Sequence, residues 1–199
     1  MSTQTRLKQQ MDFILEVDKL KQIQRQTYTT TKNRHENSSE HSWHIALMAL
    51  ILQEHSKHPT IDLFKAVKML LIHDIVEIDA GDTFLYDKQA QKNKHKNETK
   101  AAKRIFNLLP KDQAQLLQNL WNEFEDNKTP TAKYANALDR LQPIINNYHT
   151  NGKAWQQNNV KKHQIEASNT DIEKGSPTLW EYATELIKKA ITEGKLAEQ

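Results

Sequence analysis

Several residues able to ligate a metal ion or move a proton fall where helical spacing predicts core. His41 precedes Ile45 by four positions and so extends the line Ile45, Met48, Leu52. His73 continues the line Ala66, Met69, Leu70, and its neighbour Asp74 continues Leu63, Val67, Leu70. Asp139 lies at the edge of a stripe made by Tyr134, Ala135, Leu138, Leu141 and Ile145. An ionised carboxylate turned inward costs several kcal/mol unless it is paired or bound to a metal, so a cation is expected beside Asp74.

Two imidazoles and two carboxylates make a four-ligand set for a first-row transition ion, with positions left for water and a phosphate oxygen. The sequence contains no cysteine, so thiolate sites and disulfides are excluded and any ion must be held by imidazole and carboxylate, which suits Co, Mn, Zn, Ni or Fe. Glu77 stands four residues after His73 and three after Asp74, one turn further along the same surface, where it can serve as general acid or base. Asp82 follows Gly81 at the rim. Taken singly, an inward histidine is more often a satisfied core residue than a ligand, and His44 is read that way. The combination of four such residues reverses that balance.

The elements that must position these residues read as helices. The first is expected from about Thr5 to Gln24, with Leu7, Met11, Ile14 and Leu15 at helical spacing, followed by the polar stretch QRQTYTTTKNRHEN. A second, with Ser38 and Ser39 as N-cap candidates, should carry His41 and reach about His55. A third, capped by Thr60 with Asp62 in its first turn, should carry His73 and Asp74, and Gly81 should turn the chain. Helices are expected over Glu98 to Leu109 and Lys111 to Glu125, separated at Pro110. Thr129-Pro130 opens another, running to about Tyr148, in which Pro143 leaves the Asp139 carbonyl without its usual partner and predicts a kink there. A short helix near Val160 to Thr170 and a last one after Pro177 complete the set. The fold class is therefore all-α, a single helical bundle taken as one domain over residues 1–199.

Composition agrees. Four glycines and five prolines over 199 residues favour long helices, and 37% hydrophobic residues suffice for a core. No stretch reaches the ~18 apolar residues of a membrane span, and MSTQTRLKQQ lacks the apolar centre of a signal peptide, so a cytoplasmic protein without membrane contact is expected. A net charge of +3, with both signs interleaved, argues against a nucleic-acid binder. The basic run from Lys88 to Lys100 reads as a solvated helix start or a lid beside the site.

The ordered segments ENSSEHSWHIALMALIL, HDIVEIDAGD and ALDRL resemble the HD-domain metal-dependent phosphohydrolases, in particular the 5′-deoxynucleotidase-like branch. The resemblance runs from about Phe13 to Leu196 and includes LWNEFE and GSPTLWEYA. It implies that His41, His73, Asp74 and Asp139 hold one divalent transition-metal ion, with Glu77 and Asp82 as catalytic or substrate-contacting carboxylates and Arg25 as a phosphate-contacting arginine. The family follows that arginine with an aromatic residue or a Gly-Trp pair, where this chain has Gln26-Thr27-Tyr28, and Arg34 is the second candidate. The activity implied is release of phosphate from a nucleoside 5′-monophosphate by a homodimeric enzyme, the ion lowering the pKa of bound water towards ~7. Two other functions compete. Hydrolysis of a cyclic dinucleotide or guanosine tetraphosphate by a two-metal site needs extra histidines, and between Asp82 and Asp139 the chain offers only His95. A non-catalytic nucleotide sensor would be expected to lose a ligand or Glu77, and none is lost.

Overall fold

The structure, a computed structural model, describes residues 3–31 and 34–198. Helix α1 (Thr3–Val17) ends earlier than its apolar spacing suggested: the chain tightens into a 3-10 turn over Asp18–Gln22 and enters strand β1 (Gln24–Tyr28). The row Leu7, Met11, Ile14, Leu15 stays exposed. Strand β1 pairs antiparallel with β2 (His35–Asn37), Gln24 opposite Asn37 and Tyr28 opposite His35, with an irregularity between them. The polar stretch after α1 thus contains a hairpin, and it buries Thr27 and Tyr28.

Helix α2 (Ser38–Ile51) is capped by Asn37, one residue before the serines. The Asn37 side chain accepts from the Glu40 amide at 2.9 Å and the Glu40 carboxylate accepts from the Asn37 amide at 3.1 Å, a reciprocal capping box. Helix α3 (Leu63–Ile72) is capped by Asp62, whose carboxylate accepts from the Lys65 amide, so Thr60 lies outside it. His73 and Asp74 then occupy a separate 3-10 turn (His73–Val76), followed by the short helix α4 (Glu77–Ala80). Gly81, at φ +75°, ends α4 in a conformation that a side chain would oppose and turns the chain to Asp82.

Helix α5 (Lys88–Phe106) starts ten residues before Glu98, capped by the Asp87 carboxylate, so the basic run forms its first turns. Helix α6 (Lys111–Asp126) ends on left-handed Asn127. Helix α7 (Pro130–His149) is the central element, capped by Thr129 as its sequence predicts. It runs through Pro143 without interruption, and the Asn147 side chain donates to the Pro143 carbonyl at 2.9 Å. Tyr134, Ala135, Leu138, Leu141 and Ile144 are buried along it, against α2, α3, α6 and the final helices. Those are α8 (Lys153–Gln157), α9 (Lys162–Ser168), α10 (Asp171–Gly175) and α11 (Pro177–Thr192). Gly175 lets α10 close on α7, since a Cβ there would run into the Lys133 carbonyl. Among the described residues no helix is long and apolar enough to cross a membrane.

Candidate metal centre

Helix α2 brings His41 to the middle of the bundle, fully buried, facing Asp139 on α7 and the turn that carries His73. His41, His73 and Asp139 each offer one ligand atom, and these atoms all lie within 4.8 Å of one another. The tautomers are set by what the far side of each ring touches. Gln142 Nε2 donates to Glu36 Oε1 at 2.6 Å, which turns Gln142 Oε1 towards His41 Nδ1 at 3.0 Å. His41 Nδ1 therefore carries the hydrogen, and Nε2 presents its lone pair to Asp139 Oδ1, 2.9 Å away. His73 Nδ1 likewise lies 2.9 Å from the Leu70 carbonyl, which accepts its hydrogen. His73 Nε2 is buried with no hydrogen-bond partner, although Asp74 Oδ1 and Asp139 Oδ1 lie 2.9 and 3.5 Å away.

Lone pairs and carboxylate oxygens converging without a donor between them repel unless a cation or a proton intervenes. Burial and the Arg25 charge push the His41 imidazole down, yet the Asp139 and Glu36 carboxylates, 2.9 and 3.7 Å from its ring nitrogens, carry the balance upward. For His73 burial opposes protonation, and the charge of Asp74 and the contacts with Asp139 outweigh it. The cluster thus favours positive charge at its centre, and the residues present fit a divalent ion of tetrahedral or octahedral preference.

Asp74 stands at the edge of this group, outside the three residues that share the 4.8 Å circle. Its Oδ1 is beside His73, and its Oδ2 accepts from Arg25 at 2.7 Å. Burial would raise the carboxyl, but His73 and Arg25 hold it far below the usual carboxylate range. Arg25, on β1, is thereby committed to Asp74, while its Nε remains buried without a partner. Arg34 is elsewhere: exposed, and bound to both oxygens of Glu40 at 2.8 and 2.6 Å. It lines a shallow outer groove with Trp43 and Leu47, so the structure does not bring it to the cluster.

Glu77, 4% exposed, accepts from the Ser38 hydroxyl at 2.6 Å. Burial and the nearby Asp74 charge push its carboxyl up to about 8, which keeps a proton on it near neutral pH. Asp82 is also raised, chiefly by burial, with Arg25 opposing. Both line one cavity of about 220 Å³ together with Arg25, His73, Asp74 and Asp139. Sequence spacing missed several of its features. Gln142 and Glu36, 0% and 4% exposed, are the polar residues that fix His41, and Gln142 was signalled only by sitting one turn after Asp139. Lys94, Glu98, Glu125 and Arg140 also line the cavity, and Lys94 emerges from the run read as solvated. His44 lies 3.3 Å from Gln142 Nε2 and stays structural.

Comparison with known proteins places this arrangement. The HD domain family model matches residues 17–180. The chain is 30% identical over 136 residues to 5′-deoxynucleotidase HDDC2 of Homo sapiens, covering 68% of this chain and 65% of that protein. It is 31% identical over 137 residues to 5′-deoxynucleotidase HDDC2 of Danio rerio, covering 68% of this chain and 66% of that one. The chain thus spans slightly less than two thirds of these relatives. Among solved structures, a predicted metal-dependent phosphohydrolase from Magnetospirillum magnetotacticum superposes with a TM-score of 0.90 at 47% identity, covering 97% of this chain and 99% of that one. A conserved hypothetical protein from Pyrococcus furiosus superposes with a TM-score of 0.60 at 27% identity, covering 92% and 99%.

Proposed function

Since this chain belongs to the HD domain family, we propose that it is a metal-dependent nucleoside 5′-monophosphate phosphatase, favouring deoxyribonucleotides and releasing nucleoside and phosphate. The observation that carries the reading is the convergence of His41 Nε2, His73 Nε2 and Asp139 on one point at the wall of a cavity. His41, His73 and Asp139 would hold one divalent ion, with Asp74 Oδ1 as the fourth donor. Such an ion supplies an activated water near neutral pH and a Lewis acid for a phosphoryl oxygen. The similarity to 5′-deoxynucleotidases supports the substrate class.

Glu36 and Gln142 hold the His41 ring so that its Nε2 lone pair faces the cluster, and Arg25 holds Asp74 in place. Glu77, protonated and oriented by Ser38, gives its proton to the leaving 5′ oxygen as the phosphorus–oxygen bond breaks. Asp82, at the rim, contacts the sugar or phosphate of the bound nucleotide. A homodimer fits the apolar row Trp43, Leu47, Leu50 and Ile51, which α2 leaves exposed.

The test is phosphate release from a panel of ribo- and deoxyribonucleoside monophosphates, after chelation and re-addition of Co, Mn, Zn or Ni. Metal-restored release that falls by about 10²–10⁴ in Glu77→Gln, with ion binding retained, supports the assignment. Absence of release from every monophosphate with every metal refutes it.

A further inference from the structure

Among the described residues, five with a buried polar atom lacking any hydrogen-bond partner line the central cavity: Arg25, His73, Asn127, Arg140 and Asn147. The metal cluster accounts for His73, and the ion pair with Asp74 occupies one end of Arg25. Arg140, Asn147 and Asn127, the residue that ends α6, belong to neither. Arg6, Arg25, Arg34 and Arg104 each pair with a carboxylate. Among the described residues Arg140 has no carboxylate in ion-pair contact, and its Nε is buried and unpartnered. An uncompensated guanidinium beside a cavity is a site for an anionic oxygen.

Asn147 is 5% exposed. Its amide nitrogen donates to the Pro143 carbonyl, so the orientation of the group is fixed and the unsatisfied atom is the acceptor, Oδ1. Asp139, Arg140, Pro143 and Asn147 all line the cavity from one side of α7. At the helical rise, Asn147 lies ~12 Å beyond Asp139 along the axis, about the span from the phosphorus of a nucleoside monophosphate to the far edge of its base. Between them Pro143 offers a flat apolar surface with no donor. The wall also includes Tyr86, Trp155 and Asn169.

We propose that α7 is the substrate-reading helix: Arg140 binds a phosphoryl oxygen next to the metal cluster, and Asn147 Oδ1 accepts an N–H from the heterocycle at the other end. Polar, apolar and polar positions at successive turns match phosphate, sugar and base in order. The inference rests on the phosphatase reading in placing the reacting phosphorus at His41, His73 and Asp139. It assigns specificity to two residues that the ligand set does not contain.

Direct binding to the metal-loaded protein tests it without needing turnover. Inorganic phosphate and four nucleosides (deoxyadenosine, deoxycytidine, deoxyguanosine, thymidine) are titrated by calorimetry, and the tightest nucleoside is compared with its N-methylated counterpart. Arg140→Gln should weaken phosphate binding at least about tenfold, with Arg140→Lys intermediate and the nucleoside affinity unmoved. Asn147→Leu should leave phosphate binding unchanged and abolish the discrimination between the nucleoside and its N-methylated form. Thermal melts and metal content separate these effects from misfolding. Equal phosphate affinity in Arg140→Gln, persistence of the discrimination in Asn147→Leu, or no nucleoside binding by the unsubstituted protein overturns the proposal. If both binding results hold while no monophosphate is hydrolysed, the phosphatase reading fails and the recognition helix stands.

Discussion

Replacing Gln142 by Leu tests whether the residues behind His41 matter as much as His41 itself. Gln142 is fully buried and bridges His41 Nδ1 and Glu36 Oε1 at 3.0 and 2.6 Å. Leucine preserves much of the volume but leaves the imidazole N–H unsatisfied and the Glu36 carboxylate with the Thr27 hydroxyl at 3.2 Å as its remaining side-chain donor. Each stranded buried group costs about 1–3 kcal/mol. A total loss of about 3 kcal/mol lowers Tm by about 6–12 °C in a domain of this size. With its tautomer no longer enforced, His41 should also bind an ion about 10–100-fold more weakly. Chelator-competition titration of Zn or Co measures the affinity, and calorimetric melting of the metal-free protein measures the stability. Unchanged metal affinity in a folded Gln142→Leu protein would refute the argument that this bridge sets the ligand. Loss of stability alone would reduce Gln142 to a packing residue.

Other substitutions probe separate parts of the account. Arg34→Ala should leave phosphate release, metal affinity and the midpoint of denaturant titration unchanged, because its pair with Glu40 is exposed. Gly175→Ala should destabilise by about 1–3 kcal/mol in denaturant titration, since the new Cβ would lie 2.2 Å from the Lys133 carbonyl oxygen. Burial pushes the Glu98 carboxyl up to about 7, with Lys94 opposing and Glu125 reinforcing. The folded state therefore holds more protons than the unfolded one between pH 4.5 and 7, so the Glu98 contribution to stability falls as pH rises through that window. Glu98→Gln should remove this decline and raise Tm above pH 7 relative to the unsubstituted protein, by up to about 3 kcal/mol in free energy; a parallel Tm–pH profile for both proteins would contradict it.

Helical spacing located the inward-facing histidines and aspartates well because a core helix leaves few reasons for such residues. Residues His41 and Asp139 fall on α2 and α7 as their neighbours' period requires. His73 and Asp74 are buried as expected, yet on a 3-10 turn beyond the end of α3. Periodicity could not show this, since a short change from 3.6 to about 3 residues per turn moves few positions. The hairpin was hidden because Gln24 to Tyr28 contains one aromatic residue and no aliphatic one; its burial comes from Thr27 and Tyr28 packing under the site rather than from a hydrophobic run. Caps were misplaced by one or two residues where several candidates stood in a row, as at Asn37-Ser38-Ser39, and the Asn37–Glu40 reciprocity decided between them. Partnerships between distant polar residues, such as Glu36–Gln142–His41, depend on the approach of α2 to α7 and leave no trace in spacing.

The central claim is that a divalent ion belongs between His41, His73 and Asp139. A crystal of the protein soaked with Zn or Mn and measured at the metal's absorption edge tests it most directly. The account predicts one strong anomalous peak per chain, ligated by His41 Nε2, His73 Nε2 and an Asp139 oxygen, and absent from His73→Ala. A peak elsewhere, or none with either metal while the three side chains keep their present positions, would contradict it.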